Sequence, residues 1–317
     1  MSTEALSLAV DVGGVRLPTP VVVASGCFGP ELAQLADVGR FGGVVTKSIT
    51  MRPHRGTPSP RIAETPSGLL WDTGLQNDGI ESFLSRELPA LAELGMPVIV
   101  SVAGSSIDEF MRLVMALEGA PGIVAIEANA CCPSRERDGQ WYGASVDGAA
   151  EVAGAVSRLA RVPVFVKLPE SPDLVEVAQA CLRAGATGLT LIHSLPGMAV
   201  DVGTFQSRLA AVKGSISGPA IHGVALHAVY RVAQAFPEAA IFAAGGVSSA
   251  EDAAAFLLAG ASAVQVGTAI FRNPQAPIEV AAGLARLLAE RGLTSPEQLR
   301  GRMGSLRAPA PVGMEAT

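Results

Sequence analysis

The sequence predicts a (β/α)8 barrel, the TIM-barrel class, with a short N-terminal hairpin and with insertions at the C-terminal face of its strands. Three observations predict it. Short Val- and Ile-rich runs alternate with longer Ala/Leu segments of helical character along 317 residues, the pattern of repeated βα units. Eight such runs occur, where a doubly wound open sheet usually stops at about six. The reactive residues fall at the C-terminal ends of these runs, where barrel active sites lie.

The elements follow in order. Leu8 to Leu17 is broken by Gly13 and Gly14 and reads as a hairpin ahead of the barrel. The eight strands are expected at Pro20–Ser25, Gly43–Lys47, Pro97–Val102, Ile123–Asn129, Pro163–Leu168, Gly188–His193, Ala240–Gly245 and Ala263–Gly267. Helices are expected around Glu31–Val38, Glu81–Leu94, Gly148–Leu159, Leu174–Ala184, Leu226–Phe236 and Pro277–Arg291. Ser48–Asp78 and Leu195–Pro219 are the two large insertions, both following strands. Ala308–Thr317 reads as a frayed tail. No linker or repeat beyond the βα unit interrupts residues 1–317, which are expected to form one domain.

Composition narrows the function. Hydrophobic residues make up 49% and aromatics only 4%, so the core is expected to be Ala, Val, Leu and Ile. The net charge is -6 with no basic run, which argues against nucleic acid as a partner. Mean hydropathy is high at +0.38, yet no apolar run reaches the ~18 residues of a membrane span. The hydropathy is therefore assigned to buried parallel strands and to a homodimer interface. Met1 to Val10 lacks a basic and then apolar leader, so neither a signal peptide nor an anchor is expected. Cys27, Cys131, Cys132 and Cys181 have no zinc-like pairing and are too few for a disulfide framework. A reducing cytoplasm and no metal site are the resulting expectations.

The strand ends carry the chemistry. Lys47 and Lys167 each end an apolar run, where a lysine can stabilise negative charge on a cofactor or substrate. The alternative is a buried lysine paired with a structural carboxylate such as Glu127. Gly245-Gly246 and Gly267-Thr268 close the last two strands and precede helical segments. Glycine admits close approach of a ligand, and helix N-termini present free N–H groups, so a phosphate is expected there. The alternative is simple helix capping by Ser248 or Ser249. Cys132 precedes a polar loop, Ser134 to Tyr142, that can act as a lid, and its thiolate can serve as a general base. Against this stands an inert buried cysteine, the reading given to Cys131.

These residues together resemble the dihydroorotate dehydrogenases, in particular the heteromeric NAD-linked class. The resemblance runs from about Val10 to about Arg300. It is carried by Ala24-Ser25-Gly26-Cys27-Phe28-Gly29, Thr46-Lys47-Ser48-Ile49-Thr50, Pro60 to Pro66, Gly74-Leu75-Gln76-Asn77, Ile126 to Pro133, Val166-Lys167-Leu168, Ser217-Gly218-Pro219 and Gly245-Gly246-Val247. It implies FMN as cofactor, with hydride passing from a substrate carbon to N5 of the flavin. Cys132 then matches the base, Lys167 the lysine at the flavin pyrimidine edge, and Lys47 a lysine between flavin and substrate. Ala24, Gly26, Ser48, Asn129, Gly218, Gly245, Gly246, Gly267 and Thr268 match flavin contacts. Gly74, Leu75, Asn77, Asn129 and Ser194 match the substrate side. The resemblance also implies a separate electron-transfer subunit holding FAD and an iron–sulfur cluster.

The chain departs from the family at three asparagines around the orotate ring, replaced here by Trp71, Ser134 and His193, and at one near the flavin, replaced by Ser101. Asparagine offers donor and acceptor together, and each planned hydrogen bond lost to a buried group costs about 1–3 kcal/mol. Trp71 reads either as packing or as a stacking platform, and His193 as a local substitution or a ligand for another substrate. Four functions follow: oxidation of dihydroorotate to orotate in pyrimidine biosynthesis; an FMN oxidoreductase of another ene/ane pair, a dihydropyrimidine or a specialised metabolite; a flavin-binding subunit without turnover; and a flavin-free barrel for phosphorylated metabolites. Cys132 and both lysines favour the first two, and whole-chain resemblance favours dihydroorotate.

Overall fold

The computed structural model describes residues 5–133 and 136–304. Eight parallel strands close into a barrel: β1 (Val21–Val23), β2 (Val44–Val45), β3 (Val98–Val102), β4 (Ile123–Asn129), β5 (Val164–Leu168), β6 (Gly188–Leu191), β7 (Ala240–Ala244) and β8 (Ala263–Val266). Each pairs with its sequence neighbours, and β8 pairs with β1 to close the ring. All eight expected strands are present; Ile123–Asn129 has the expected bounds and the other seven are shortened by one to three residues, because the outermost residues leave the ladder for the loops.

Side chains along a strand alternate between the barrel interior and the surrounding helices. One interior layer is apolar: Val22, Val45, Ile99, Ala125, Phe165, Phe242 and Ala263 pack as one cluster. The expected hairpin, Val10–Val12 paired with Val15–Leu17, plugs this end. It contributes Val10, Val12, Val15 and Leu17 to the same cluster while Asp11 and Arg16 face water. Phe165 and Phe242 meet edge to face, with centroids 4.8 Å apart. Two residues further along, six of the eight strands turn polar, with Lys47, Ser101, Glu127, Lys167, Thr190 and Gln265, while β1 and β7 place Ala24 and Ala244 there.

Four of the connecting helices are close to expectation, Val146–Leu159, Leu174–Arg183, His222–Ala235 and Ala276–Glu290, and a fifth, Ala250–Ala259, was expected only as a helical segment of no stated bounds after Gly245-Gly246. Ile107–Leu117 adds a sixth, which the sequence reading did not assign, with Ser106 as N-cap. Two expectations need correction. Glu31–Val38 is not an α-helix but two 3-10 turns, Pro30–Leu35 and Val38–Arg40. Neither buries a residue, and a segment this short, with Gly39 inside it, lacks the packing that sustains an α-helix. Glu81–Leu94 is helical but widens to a π-turn over Phe83–Glu87. Pro89 lies just beyond that turn, where it removes an N–H and crowds the preceding carbonyl.

The two insertions pair with each other. Ile62–Thr65, Gly68–Trp71, Gly214–Ser217 and Leu195–Gly197 form a four-stranded antiparallel sheet. This sheet stands over the C-terminal face of the barrel and sets Trp71 opposite Ser215. Among the described residues no helix is long and apolar enough to cross a membrane. The Ala308–Thr317 tail lies outside the described residues.

Phe165→Ala empties an aromatic position in the plugged layer and is expected to destabilise by about 3–5 kcal/mol. A urea-unfolding midpoint unchanged from the wild type would refute this role.

Candidate active site

The centre of the mouth is a buried carboxylate. Glu127, on β4, is 1% exposed. Its Oε2 accepts hydrogen bonds from Gln265 Nε2 on β8 and Thr190 Oγ1 on β6, both at 2.9 Å. Its Oε1 lies 3.5 Å from Lys167 Nζ on β5, and the same ammonium is 3.5 Å from Gln265 Oε1. The carboxylate partner expected as an alternative for Lys167 is therefore present. The pairing does not exclude a ligand role, because it fixes a charged ammonium at the inner end of the mouth.

A second network joins β2, β3 and β4. Ser101 N–H donates to Thr46 Oγ1 at 3.0 Å, and the Ser48 and Ser101 hydroxyls are 2.9 Å apart. Asn129 Nδ2 donates to Ser48 Oγ at 3.0 Å, while Asn129 Oδ1 accepts from Cys131 N–H at 3.0 Å. Lys47 stands beside it, half-buried, with no hydrogen bond or ion pair among the described residues. Burial lowers its pKa, opposed by Glu87. Gly26 turns at φ +77, and a Cβ there would reach within 3.9 Å of the Lys47 stem.

The glycine turns form a cradle. Gly218, Gly245 and Gly246 have φ of +96, +135 and +74. A Cβ on Gly246 would lie 2.8 Å from the Gly218 carbonyl oxygen. A cavity of about 590 Å³ opens here, lined by Gly218, Gly246, Gly267, Thr268 and the Pro66–Gly68 turn among others. Ala24, on the end of β1, borders it through Gly267, its N–H bonded to the Val266 carbonyl at 2.8 Å. The helix Ala250–Ala259 is capped as the alternative reading expected, by a box between Ser249 and Asp252. That helix end is thus already supplied with a carboxylate, and the open donors lie in the glycine turns themselves.

Cys132 is 2% exposed. Its thiol donates to the Gly104 and Asn129 carbonyls at 3.2 and 3.1 Å, and burial pushes its pKa up to about 12. Cys131 donates to the Lys167 carbonyl at 3.5 Å and packs below the mouth.

Among the remaining expected residues, Gly74 and Leu75 form a left-handed turn, φ +59 and +54. Asn77 is engaged by its own loop: its amide meets Thr50, the Leu75 carbonyl and Gly79 N–H. Trp71 Nε1 donates to Ser217 Oγ at 3.0 Å, and Ser217 accepts from Thr268 Oγ1 at 2.8 Å. His193 Nδ1 is paired with Ser194 Oγ at 3.0 Å. Ser134 lies outside the described residues. The sequence reading missed Thr190, Gln265, Ser217 and Trp141. The first two carried a legible signal, since each sits two residues after an interior position of its strand. Ser217 stood in a motif that carried the resemblance and Trp141 in the loop after Cys132, but neither was given a role, because tertiary folding alone brings their partners to them.

A closed parallel barrel with two lysines, a polar inner layer and a glycine cradle at one mouth is the architecture of a barrel enzyme. Residues 7–288 match the family model described as dihydroorotate dehydrogenase. The chain is 42% identical over 299 residues to the "Dihydroorotate dehydrogenase B (NAD(+)), catalytic subunit" of Geotalea daltonii, covering 93% of this chain and 98% of that one. It is equally similar, at 42%, to the proteins of that name from Trichlorobacter lovleyi over 300 residues, covering 94% and 98%, and from Geobacillus sp. over 298 residues, covering 93% and 95%. The chain belongs to the dihydroorotate dehydrogenase family, and is thereby an oxidoreductase of CH–CH bonds.

Burial lowers the His193 pKa from its ordinary 6.5 to about 4, with the Lys167 charge adding to the shift. Between these values the unfolded chain binds the extra proton, so stability falls as pH drops from 6.5 toward 4. The decline in melting temperature across that window is expected to be shallower in His193→Asn. Parallel declines would remove His193 as a source.

Proposed function

We propose that the chain, as one domain, binds FMN in the barrel mouth and oxidises a ring CH–CH bond. Whole-length similarity supports dihydroorotate as the substrate and pyrimidine biosynthesis as the setting. The observation that carries the reading is the convergence of Lys47, Asn129, Lys167 and Cys132 on the mouth that also holds the glycine cradle.

The residues fit the cofactor. The turns at Gly218, Gly245, Gly246 and Gly267 leave the room of missing side chains, and with Thr268 they would hold the phosphate through backbone N–H groups. Lys167, backed by Glu127, would meet the polar end of the ring system with a fixed positive charge. Ser48, Asn129, Ala24 and Gly26 would complete that wall. When bound, FMN supplies the hydride acceptor. Lys47 would orient the substrate from the β2 side. Cys132 would take the proton from the neighbouring substrate carbon, which requires its thiolate and a shift of the loop away from the Gly104 and Asn129 carbonyls.

The relatives' name, a catalytic subunit, supports an electron-transfer partner here, of the FAD and iron–sulfur kind. Exposed Met198, Val200, Val202 and Phe205 on the second insertion support a subunit contact, which we assign to a homodimer core in the cytoplasm.

A second reading, another ene/ane substrate, is favoured by one observation. Where an orotate ring would need amide partners, the side chains are the rings of Trp71 and His193. Stopped-flow spectroscopy under anaerobic conditions separates the two. Rapid bleaching of the oxidised flavin band by dihydroorotate establishes the first, and a yellow protein that stays oxidised with dihydroorotate overturns it.

With a thiol near 12, the thiolate fraction rises about tenfold per pH unit at neutral to alkaline pH. Flavin reduction by the true substrate is expected to follow that slope, and Cys132→Ser is expected to slow it strongly without loss of flavin. A flat profile would remove Cys132 as the base. Gly246→Ala, which places a methyl against the Gly218 carbonyl at a left-handed φ, is expected to purify folded but with little yellow colour. Full flavin occupancy in that variant would move the phosphate elsewhere.

A further inference from the structure

The two tryptophans of the chain, the only two it has, stand on either side of one histidine at the mouth. Trp71 ends the insertion strand Gly68–Trp71, and His193 follows β6. Trp141 lies on the loop that carries Cys132, held by a bridge between Pro133 and Trp141. The His193 ring centroid is 6.0 Å from that of Trp71 and 5.6 Å from that of Trp141, at interplanar angles of 57° and 70°. All three are half-buried, so the cluster keeps some exposed surface.

This wall has few polar atoms to offer. Trp71 Nε1 is spent on Ser217 and His193 Nδ1 on Ser194. His193 Nε2 and Trp141 Nε1 are the atoms left without a partner among the described residues. His193 is uncharged at neutral pH, since burial holds its pKa near 4. The opposite side of the mouth differs. β2 and β6 lie four places apart in the eight-strand ring, which sets Lys47, half-buried and unpaired among the described residues, across from the wall.

A flat ligand between the two meets a cation at one end and aromatic rings at the other. A ring edged with N–H and C=O groups would lose water there and find too few partners. A hydrocarbon ring loses nothing comparable and gains offset or edge contacts with the indoles. We propose that Trp71, His193 and Trp141 set the substrate class: a flat unsaturated ring acid whose carboxylate meets Lys47 and whose ring, hydrocarbon on the side away from the carboxylate, packs on this wall. The inference rests on the mouth being an FMN oxidoreductase site and specifies the second of its two readings.

The test uses the full-length FMN-loaded protein and its own tryptophan fluorescence, which reports on this wall alone. Benzoate and orotate share the carboxylate and differ in the ring, one hydrocarbon and one edged with polar groups. Benzoate is expected to change the fluorescence with a Kd at least about tenfold below that of orotate, a ratio equal to 1.4 kcal/mol. The double variant Trp71→Asn, His193→Asn, read through Trp141, is expected to shift the ratio about tenfold toward orotate. Orotate binding as tightly as benzoate in the unmodified protein, or no response to either, overturns the proposal while the flavin colour keeps the site reading intact. The wild-type comparison stands even if the double variant does not fold. A protein that purifies without FMN overturns the site reading, and this proposal with it.

Discussion

Everything at the mouth depends on keeping one carboxylate ionised inside the barrel. A lone charge in an apolar interior costs far more than a folded domain can spare. Glu127 is held there by two neutral donors, from β6 and β8, and by the Lys167 ammonium from β5. Four strands around the ring therefore share one electrostatic hub. Removing Glu127 or Lys167 leaves the other charge unmatched, which is the expensive way to break such a network, while removing Thr190 or Gln265 takes a hydrogen bond from the carboxylate. The hub stabilises less than it constrains: an apolar layer of equal volume would serve stability as well. What it provides is a lysine fixed in place at the inner end of a mouth open to a ligand.

The strands reach this arrangement through period-two alternation. The interior position of β5 is Phe165 and then Lys167; that of β8 is Ala263 and then Gln265; that of β3 is Ile99 and then Ser101. The lower set packs under the hairpin plug as a dry layer. The upper set lies on the side away from the hairpin plug, where its polar groups pair with one another. One residue of register separates these fates from the outward faces, where Val98, Val100, Val164, Val166 and Val264 pack against helices. The ladder shifts register once, between Val98 and Ile99 against Ile123 and Ala125, and beyond that shift the chemistry of the mouth is set by the same register that builds the core.

This explains what was legible in the sequence. The eight strands and most helices were legible because apolar runs and their spacing are local. So were Lys47, Asn129, Lys167 and the glycine turns, which stand at strand ends. Gln265 and Thr190 were written in the same alternation but look like ordinary strand residues until Glu127 is seen between them. The first crossover was misread as a helix because propensity ignores whether a face is buried, and neither of its two turns buries a residue. The sheet formed by the two insertions pairs segments about 145 residues apart, such as Trp71 with Ser215. No local pattern announces such a pairing, and with it the partners of Trp71 and the position of Trp141 were hidden.

The mouth also couples two functions through one loop. Cys132 and Trp141 stand on the same segment of chain, and an antiparallel bridge joins Pro133, next to Cys132, to Trp141. In this structure the thiol is turned to the Gly104 and Asn129 carbonyls while the indole packs edge-on against His193. A ligand that displaces or replaces the Trp141–His193 contact acts on the loop, and hence on whether the thiol keeps its two carbonyl partners. Both carbonyls accept from the protonated sulfur and have nothing to offer a thiolate, so the closed contact favours the thiol. Under the proposed function, in which Cys132 takes the proton, recognition at the aromatic wall and the setting of the thiol would then share one loop.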